Sequence, residues 1–204
     1  MSGASIELFD TTLRDGSQAE HVTLSVADKM RIAHRLDAFG IHLIEGGWPG
    51  SNPKDQEFFE DAATITWKQA QICAFGSTRR AGNTPEQDPN LLAMLASGTR
   101  VVSIFGKSWT LHVEYALGVS RAENLDMIAS SVGYLTQQGR RVIYDAEHFF
   151  DGYKDDPSYA MQTLEAAALA GADVLVLCDT NGGTLPSEVS VSYTHLTLPT
   201  KRIV

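Results

Sequence analysis

Between residues 9 and 16 the chain reads Phe9-Asp10-Thr11-Thr12-Leu13-Arg14-Asp15-Gly16, which gathers a cation, two carboxylates and two threonine hydroxyls. Arg14 supplies a permanently charged fork and Asp15 a hard oxygen ligand. That pair suits an oxyanion and a divalent metal held side by side. It also suits an Arg–Asp ion pair capping a turn, and the residues alone leave both readings open. Just upstream, Ile6, Leu8 and Phe9 read as a short buried strand. The polar cluster therefore falls at a strand's carboxyl end, where α/β proteins assemble their sites.

Further polar strings recur along the chain. Arg79 and Arg80, in Gly76-Ser77-Thr78-Arg79-Arg80, are a possible receptor for a phosphate or carboxylate and equally a solvated basic pair. Glu147 and His148 stand together where an apolar run gives way to a loop and could pair with each other. Thr180, in Asp179-Thr180-Asn181-Gly182, could be a turn residue, since Asp, Asn and Gly all favour turns. Lys107 raises the thought of Schiff-base chemistry. His21, His34, His42 and His112 have no ligand-like spacing.

The elements that must position these groups alternate regularly. Strands are expected at Ile6–Phe9, Ile41–Glu45, Ala70–Phe75, Val101–Phe105, Val142–Ala146 and Val174–Cys178. Helices are expected at Ser25–Gly40 (Val26, Met30, Ala33 and Leu36 forming its stripe), around Phe58 and Phe59, and around Asn90–Ala96. Two more follow at Arg121–Gln138 and Ser158–Ala170. This alternation implies a parallel sheet covered on both faces. Polar, Gly-rich segments after the strands favour an α/β fold of the (β/α)8 TIM-barrel type, incomplete, with about six βα units. A doubly wound sheet is the alternative, but no G-x-G-x-x-G follows the first strand.

Residues 1–189 read as this partial barrel. Pro186-Ser187-Glu188-Val189 starts a helix, whereas 190–204 is rich in Thr and β-branched residues, without helical periodicity, and reads as a non-native tail. On that reading His195 is accidental. The chain has 204 residues, 43% hydrophobic and 20% charged, the profile of a globular protein. A net charge of −9 speaks against a nucleic-acid partner. No long apolar run suggests a membrane span, and the N-terminus lacks a signal-peptide pattern. Cys73 and Cys178 lie in apolar runs and read as core thiols of a reducing, cytoplasmic compartment.

Several strings become recognisable together. They are Asp10 to Gly16, Ile44-Glu45-Gly46-Gly47-Trp48-Pro49-Gly50-Ser51-Asn52-Pro53-Lys54-Asp55, and Phe75 to Arg80. Phe105-Gly106-Lys107-Ser108-Trp109, Asp145-Ala146-Glu147-His148-Phe149-Phe150-Asp151-Gly152-Tyr153 and Cys178-Asp179-Thr180-Asn181-Gly182-Gly183 complete the set. Over about residues 5 to 190 the sequence closely resembles the citramalate synthases, within the isopropylmalate/homocitrate synthase family of metal-dependent Claisen-type barrels.

The resemblance implies an acyltransferase that condenses acetyl-CoA with pyruvate on the route to isoleucine, using a divalent metal (Mg or Mn). It implies Asp15 as metal ligand and Arg14 as the group stabilising the enolate or keto oxygen. Gln18 would support that loop, Glu147 would be a substrate-facing catalytic carboxylate, and Thr180 would hold the oxo-acid carboxylate. It also implies a homodimer for the full-length parent and gives Lys107 no Schiff-base role. Such enzymes complete their metal triad with a His-x-His pair on a seventh strand and add a regulatory domain, and neither is found in this sequence. The alternatives are a 2-isopropylmalate or homocitrate synthase, a lyase of the hydroxymethylglutaryl-CoA type, or a truncated fragment without activity.

Overall fold

In the computed structural model, which describes residues 6–194, six strands alternate with helices. The strands are β1 (Phe9–Asp10), β2 (Leu43–Gly47), β3 (Gln71–Ser77), β4 (Val101–Lys107), β5 (Arg141–Glu147) and β6 (Val174–Leu177). Their order in the sheet is their order in the chain. The registers of β1 with β2, β2 with β3 and β5 with β6 are parallel. This is (β/α)8-barrel topology with six of its βα units. The helices are α1 (Val26–Phe39), α2 (Pro53–Ala63), α3 (Pro89–Ala96), α4 (Thr110–His112), α5 (Arg121–Gln137), α6 (Phe149–Asp155), α7 (Pro157–Leu169) and α8 (Pro186–Thr194). The chain divides into two compact units, Met1–Gly76 with Ala93–Ser103, and Ser77–Leu92 with Ile104–Val204.

In the first unit, Ser25 starts α1 with a capping box: its Oγ accepts from Asp28 N, and Asp28 Oδ2 accepts from Ser25 N at 3.0 Å. Gly40, at φ 103°, ends the helix in the left-handed conformation. The helix lies where its pattern predicts. Its buried positions are Lys29, Ala33 and Asp37, four residues apart on one face, while Val26, Met30 and Leu36 of the expected stripe are half-buried beside them. Asp37 accepts the backbone N–H groups of Lys68, Gln69 and Ala70 at 2.9–3.0 Å. Burial pushes its pKa up, but these three donors outweigh burial and hold the carboxyl below its ordinary value. The expected first strand shrinks to Phe9–Asp10, and Ile6 and Leu8 are 80% and 48% exposed rather than buried. Among the described residues β1 stands at the end of the strand order and pairs only with β2, with no second neighbour over its start. The core of this unit is Leu13, Ala33, Ile44, Phe58, Cys73 and Ala74.

The second unit is built around α5 and α7, whose inward residues Ile128, Val132, Leu135, Ala160 and Leu164 are fully buried, as are Val142, Tyr144 and Ala146 of β5. Ser120 caps α5 and Asp156, before Pro157, caps α7. Arg79 is neither a solvated cation nor an anion receptor. Its guanidinium is buried and donates to Ser130 Oγ (2.9 Å) and Glu123 Oε1 (3.1 Å), and pairs with Asp126, all on α5. Helix α8 runs on through residues 190–194, where the pattern predicts no helix. Ser192 Oγ bonds the carbonyl of Glu188 and Thr194 Oγ1 that of Ser190, so the hydroxyls fold back on the helix without an apolar stripe. His195 and the rest of the expected tail lie outside the described residues. Neither cysteine is in a disulfide. Among the described residues no helix is long and apolar enough to cross a membrane.

Candidate active site

The predicted residues fall into two clusters, one in each unit, each beyond the carboxyl ends of strands. After β1 the chain makes a tight turn in which the N–H groups of Arg14, Asp15 and Gly16 converge on the Thr11 carbonyl (3.1, 2.8 and 3.2 Å). Asp10 Oδ1 accepts from Thr12 N at 3.0 Å, and the fully buried Leu13 anchors the turn. Arg14 and Asp15 do form an ion pair, Nη1 to Oδ1 at 2.9 Å. Yet the main anchor of Arg14 is Glu45 at the middle of β2, bonded to Nε at 2.5 Å with no exposure of its side chain. The Phe75 ring lies against the guanidinium, 3.7 Å from Cζ. Asp15 remains 63% exposed. Gln18 is exposed on a short 3₁₀ turn, and its backbone N–H donates to Asp15 O at 2.9 Å, bracing the loop.

The Trp-Pro-Gly-Ser-Asn-Pro-Lys-Asp string forms the loop from β2 into α2. Asn52 caps α2 by accepting from Asp55 N at 2.9 Å, while Asp55 Oδ2 accepts from Trp48 N at 2.9 Å. Asp55 is paired with buried Lys29, which also donates to the Gly46 carbonyl at 3.0 Å. Trp48 packs edge-on against Phe75, the ring that backs Arg14. Gly47 has φ 151°, and a Cβ there would come within 2.6 Å of the Asp55 carboxylate. A chain of contacts thus runs from Lys29 of α1 through Asp55, Trp48 and Phe75 to Arg14.

In the second cluster Glu147, the last residue of β5, pairs with Lys107 at the end of β4. Glu147 and His148 do not pair with each other. His148 turns away in the left-handed conformation (φ 53°, ψ 37°) and shares its Nδ1 with Asp151 Oδ2 at 3.0 Å. Its backbone N–H donates to Thr180 Oγ1 at 2.9 Å, and Asn181 Nδ2 donates to the same Asp151 oxygen at 2.9 Å. His112 packs edge-on against His148, centroids 4.5 Å apart, and beside Trp109. Burial, then the neighbouring His148 and Lys107, hold the His112 pKa below its ordinary value, against the opposite pull of Glu147 and Asp151.

The structure therefore brings Arg14 and Asp15 together in one cluster, and Glu147 and Thr180 into the other. Sequence reasoning assigned no role to Glu45, Lys29, Asp151 or Asn181. A charged residue closing the apolar run Ile41–Glu45 was the available signal for Glu45. A lysine one turn before Ala33 was the signal for Lys29.

A family model described as HMGL-like matches residues 5–201. An (R)-citramalate synthase from Synechocystis sp. is 58% identical over 186 residues, 91% of this chain and 34% of the relative. A 2-isopropylmalate synthase from Shouchella clausii is 30% identical over 198 residues, 97% of this chain and 37% of the relative. The chain thus spans about a third of the length of these curated relatives. Among solved structures, a Bacillus subtilis HMG-CoA lyase superposes with a TM-score of 0.74 at 19% identity, covering 93% of this chain and 63% of the other. That likeness establishes the barrel fold.

Proposed function

Because the chain belongs to the HMGL-like family, we propose that it carries the first six βα units of the catalytic barrel of a citramalate synthase. The whole enzyme joins the methyl carbon of acetyl-CoA to the keto carbon of pyruvate, and hydrolysis of the thioester releases citramalate and CoA. The observation that carries this reading is the 58% identity to a citramalate synthase across nine tenths of the chain, against 30% to an isopropylmalate synthase. On this reading the barrel part is residues 1–189, and the whole enzyme is a cytoplasmic homodimer.

Arg14 is the charge-stabilising group. Its guanidinium is permanently protonated, braced by Glu45 and Phe75, and meets negative charge growing on an enolate or keto oxygen without reorganising. Glu147, anchored by Lys107, is the substrate-facing carboxylate, and Thr180 supplies a hydroxyl to the oxo-acid carboxylate. Gln18 keeps the Arg14 loop in place. A divalent ion, Mg or Mn, would act as Lewis acid on the keto oxygen when bound. The fit of this chain to such an ion is partial. Asp15 offers one exposed hard oxygen, but no group of three His, Cys, Asp or Glu able to hold a metal occurs among the described residues. A single carboxylate holds an ion weakly.

Calorimetric titration with Mn²⁺, with and without pyruvate, tests the Asp15 assignment. Saturable uptake that tightens with pyruvate and vanishes in Asp15→Ala is the expected result, and uptake unchanged in that variant overturns it. Turnover of acetyl-CoA with pyruvate, 2-oxoisovalerate and 2-oxoglutarate, measured on the protein extended to its relatives' length, tests the substrate. Preference for either larger acid would replace the citramalate reading.

A further inference from the structure

His148 occupies a backbone conformation that side-chain-bearing residues rarely adopt, φ 53° and ψ 37°, at the step from β5 into α6. Such strain persists only where the surroundings over-determine it. Here they do. Its ring is tied to Asp151, which also receives Asn181, and is packed against His112 and Trp109. The consequence is local and chemical. This conformation aims the His148 N–H at Thr180 Oγ1, 2.9 Å away.

A hydroxyl has one proton to donate and two lone pairs. With one lone pair filled by the His148 N–H, the Thr180 proton is turned away from that direction. Among the described residues Oγ1 donates to no protein acceptor, and Thr180 is exposed. We propose that His148 is a positioning residue whose left-handed backbone makes the Thr180 hydroxyl an oriented donor to a ligand carboxylate. The inference rests on the reading of Thr180 as the group that meets the oxo-acid carboxylate. It adds which residue sets the direction of that bond, and that it does so through its backbone rather than its imidazole.

The two levels can be tested separately. Without ligand, Thr180→Val should speed hydrogen exchange of the His148 amide by about tenfold, the weight of one modest hydrogen bond, and move its ¹⁵N–¹H resonance. With Mn²⁺ present, calorimetry with oxalate, a non-reacting analogue of a 2-oxo acid, reads the donor role. His148→Gly keeps the N–H and adopts the left-handed backbone freely, so it should bind oxalate within about threefold of the wild type. His148→Ala resists that backbone and should bind about tenfold more weakly, as Thr180→Val should. Gly outperforming Ala is the reverse of what loss of a merely structural side chain produces. An unmoved amide in Thr180→Val, or Ala binding as well as Gly, overturns the positioning role while leaving the functional reading intact. Thr180→Val binding oxalate as tightly as the wild type overturns the reading of Thr180 itself and the donor role with it.

Discussion

Arg14 is held by an opposite charge and an aromatic face, whereas Thr180 is met by a backbone N–H whose own residue sits in a left-handed conformation. The first arrangement uses ordinary backbone geometry and concentrates charge beneath it: Glu45 under Arg14, and Lys29 with Asp55 behind the neighbouring loop. The second uses unusual backbone geometry held by side chains, and in α6, which follows, Gly152 packs directly against the backbone of Ser108 and Trp109. The contrast shows two ways of pre-orienting a polar group, by buried electrostatics or by enforced chain direction. They fail differently when disturbed.

The largest effect is expected from the electrostatic region. Lys29→Met leaves Asp55 buried beside Gly47 without its counter-charge. Chemical denaturation should show a loss of about 3–5 kcal/mol. Converting both partners in Lys29→Met/Asp55→Asn should recover part of it, and no recovery would mean that packing rather than charge dominates. Next comes the backbone region. A Cβ on Gly152 would lie 2.4 Å from the Ser108 carbonyl oxygen and 2.9 Å from Trp109 Cα. Backbone cannot swing aside as a side chain can, so Gly152→Ala should cost about 1–3 kcal/mol, and an unchanged denaturation midpoint would break the contrast.

Smaller effects separate the regions by pH. Asp37, whose folded pKa lies below its unfolded value, contributes stability present above that unfolded value, near pH ~4. This stability is lost as pH falls through the folded value. Asp37→Asn should lower stability at neutral pH by about 1–2 kcal/mol and flatten the acid limb of a stability–pH curve. His112 gives the smallest effect and a different window. Its folded pKa is depressed, so the unfolded chain binds more protons and stability falls as pH drops below about 6.5. His112→Phe should remove that slope, by less than about 1 kcal/mol. A slope that survives the substitution would assign it to another group.

Much of this architecture was legible beforehand. The six βα repeats, the extent of α1, and the helices α3, α5 and α7 follow from periodicity and end signals that act within a few residues. The short α6 was not legible, because its start at His148 rests on contacts with Asp151 and on a strained backbone, and no spacing announces either. Arg79 and Arg80 read alike in the chain, yet Arg79 is consumed by Ser130, Glu123 and Asp126, some fifty residues away, while Arg80 is exposed. Arg14 beside Asp15 was visible as a pair, but its decisive partner, Glu45, comes from the next strand.

By itself, then, the sequence determined the alternation of elements, where charged groups gather after strands, and the family resemblance that the comparisons support. All of these depend on residue type and short-range order. Only the tertiary structure decided which of those groups are anchors and which are presented. That depends on which side chains from distant segments arrive at the same place: Lys29 at Asp55, Glu45 at Arg14, and Thr180 at the amide of His148.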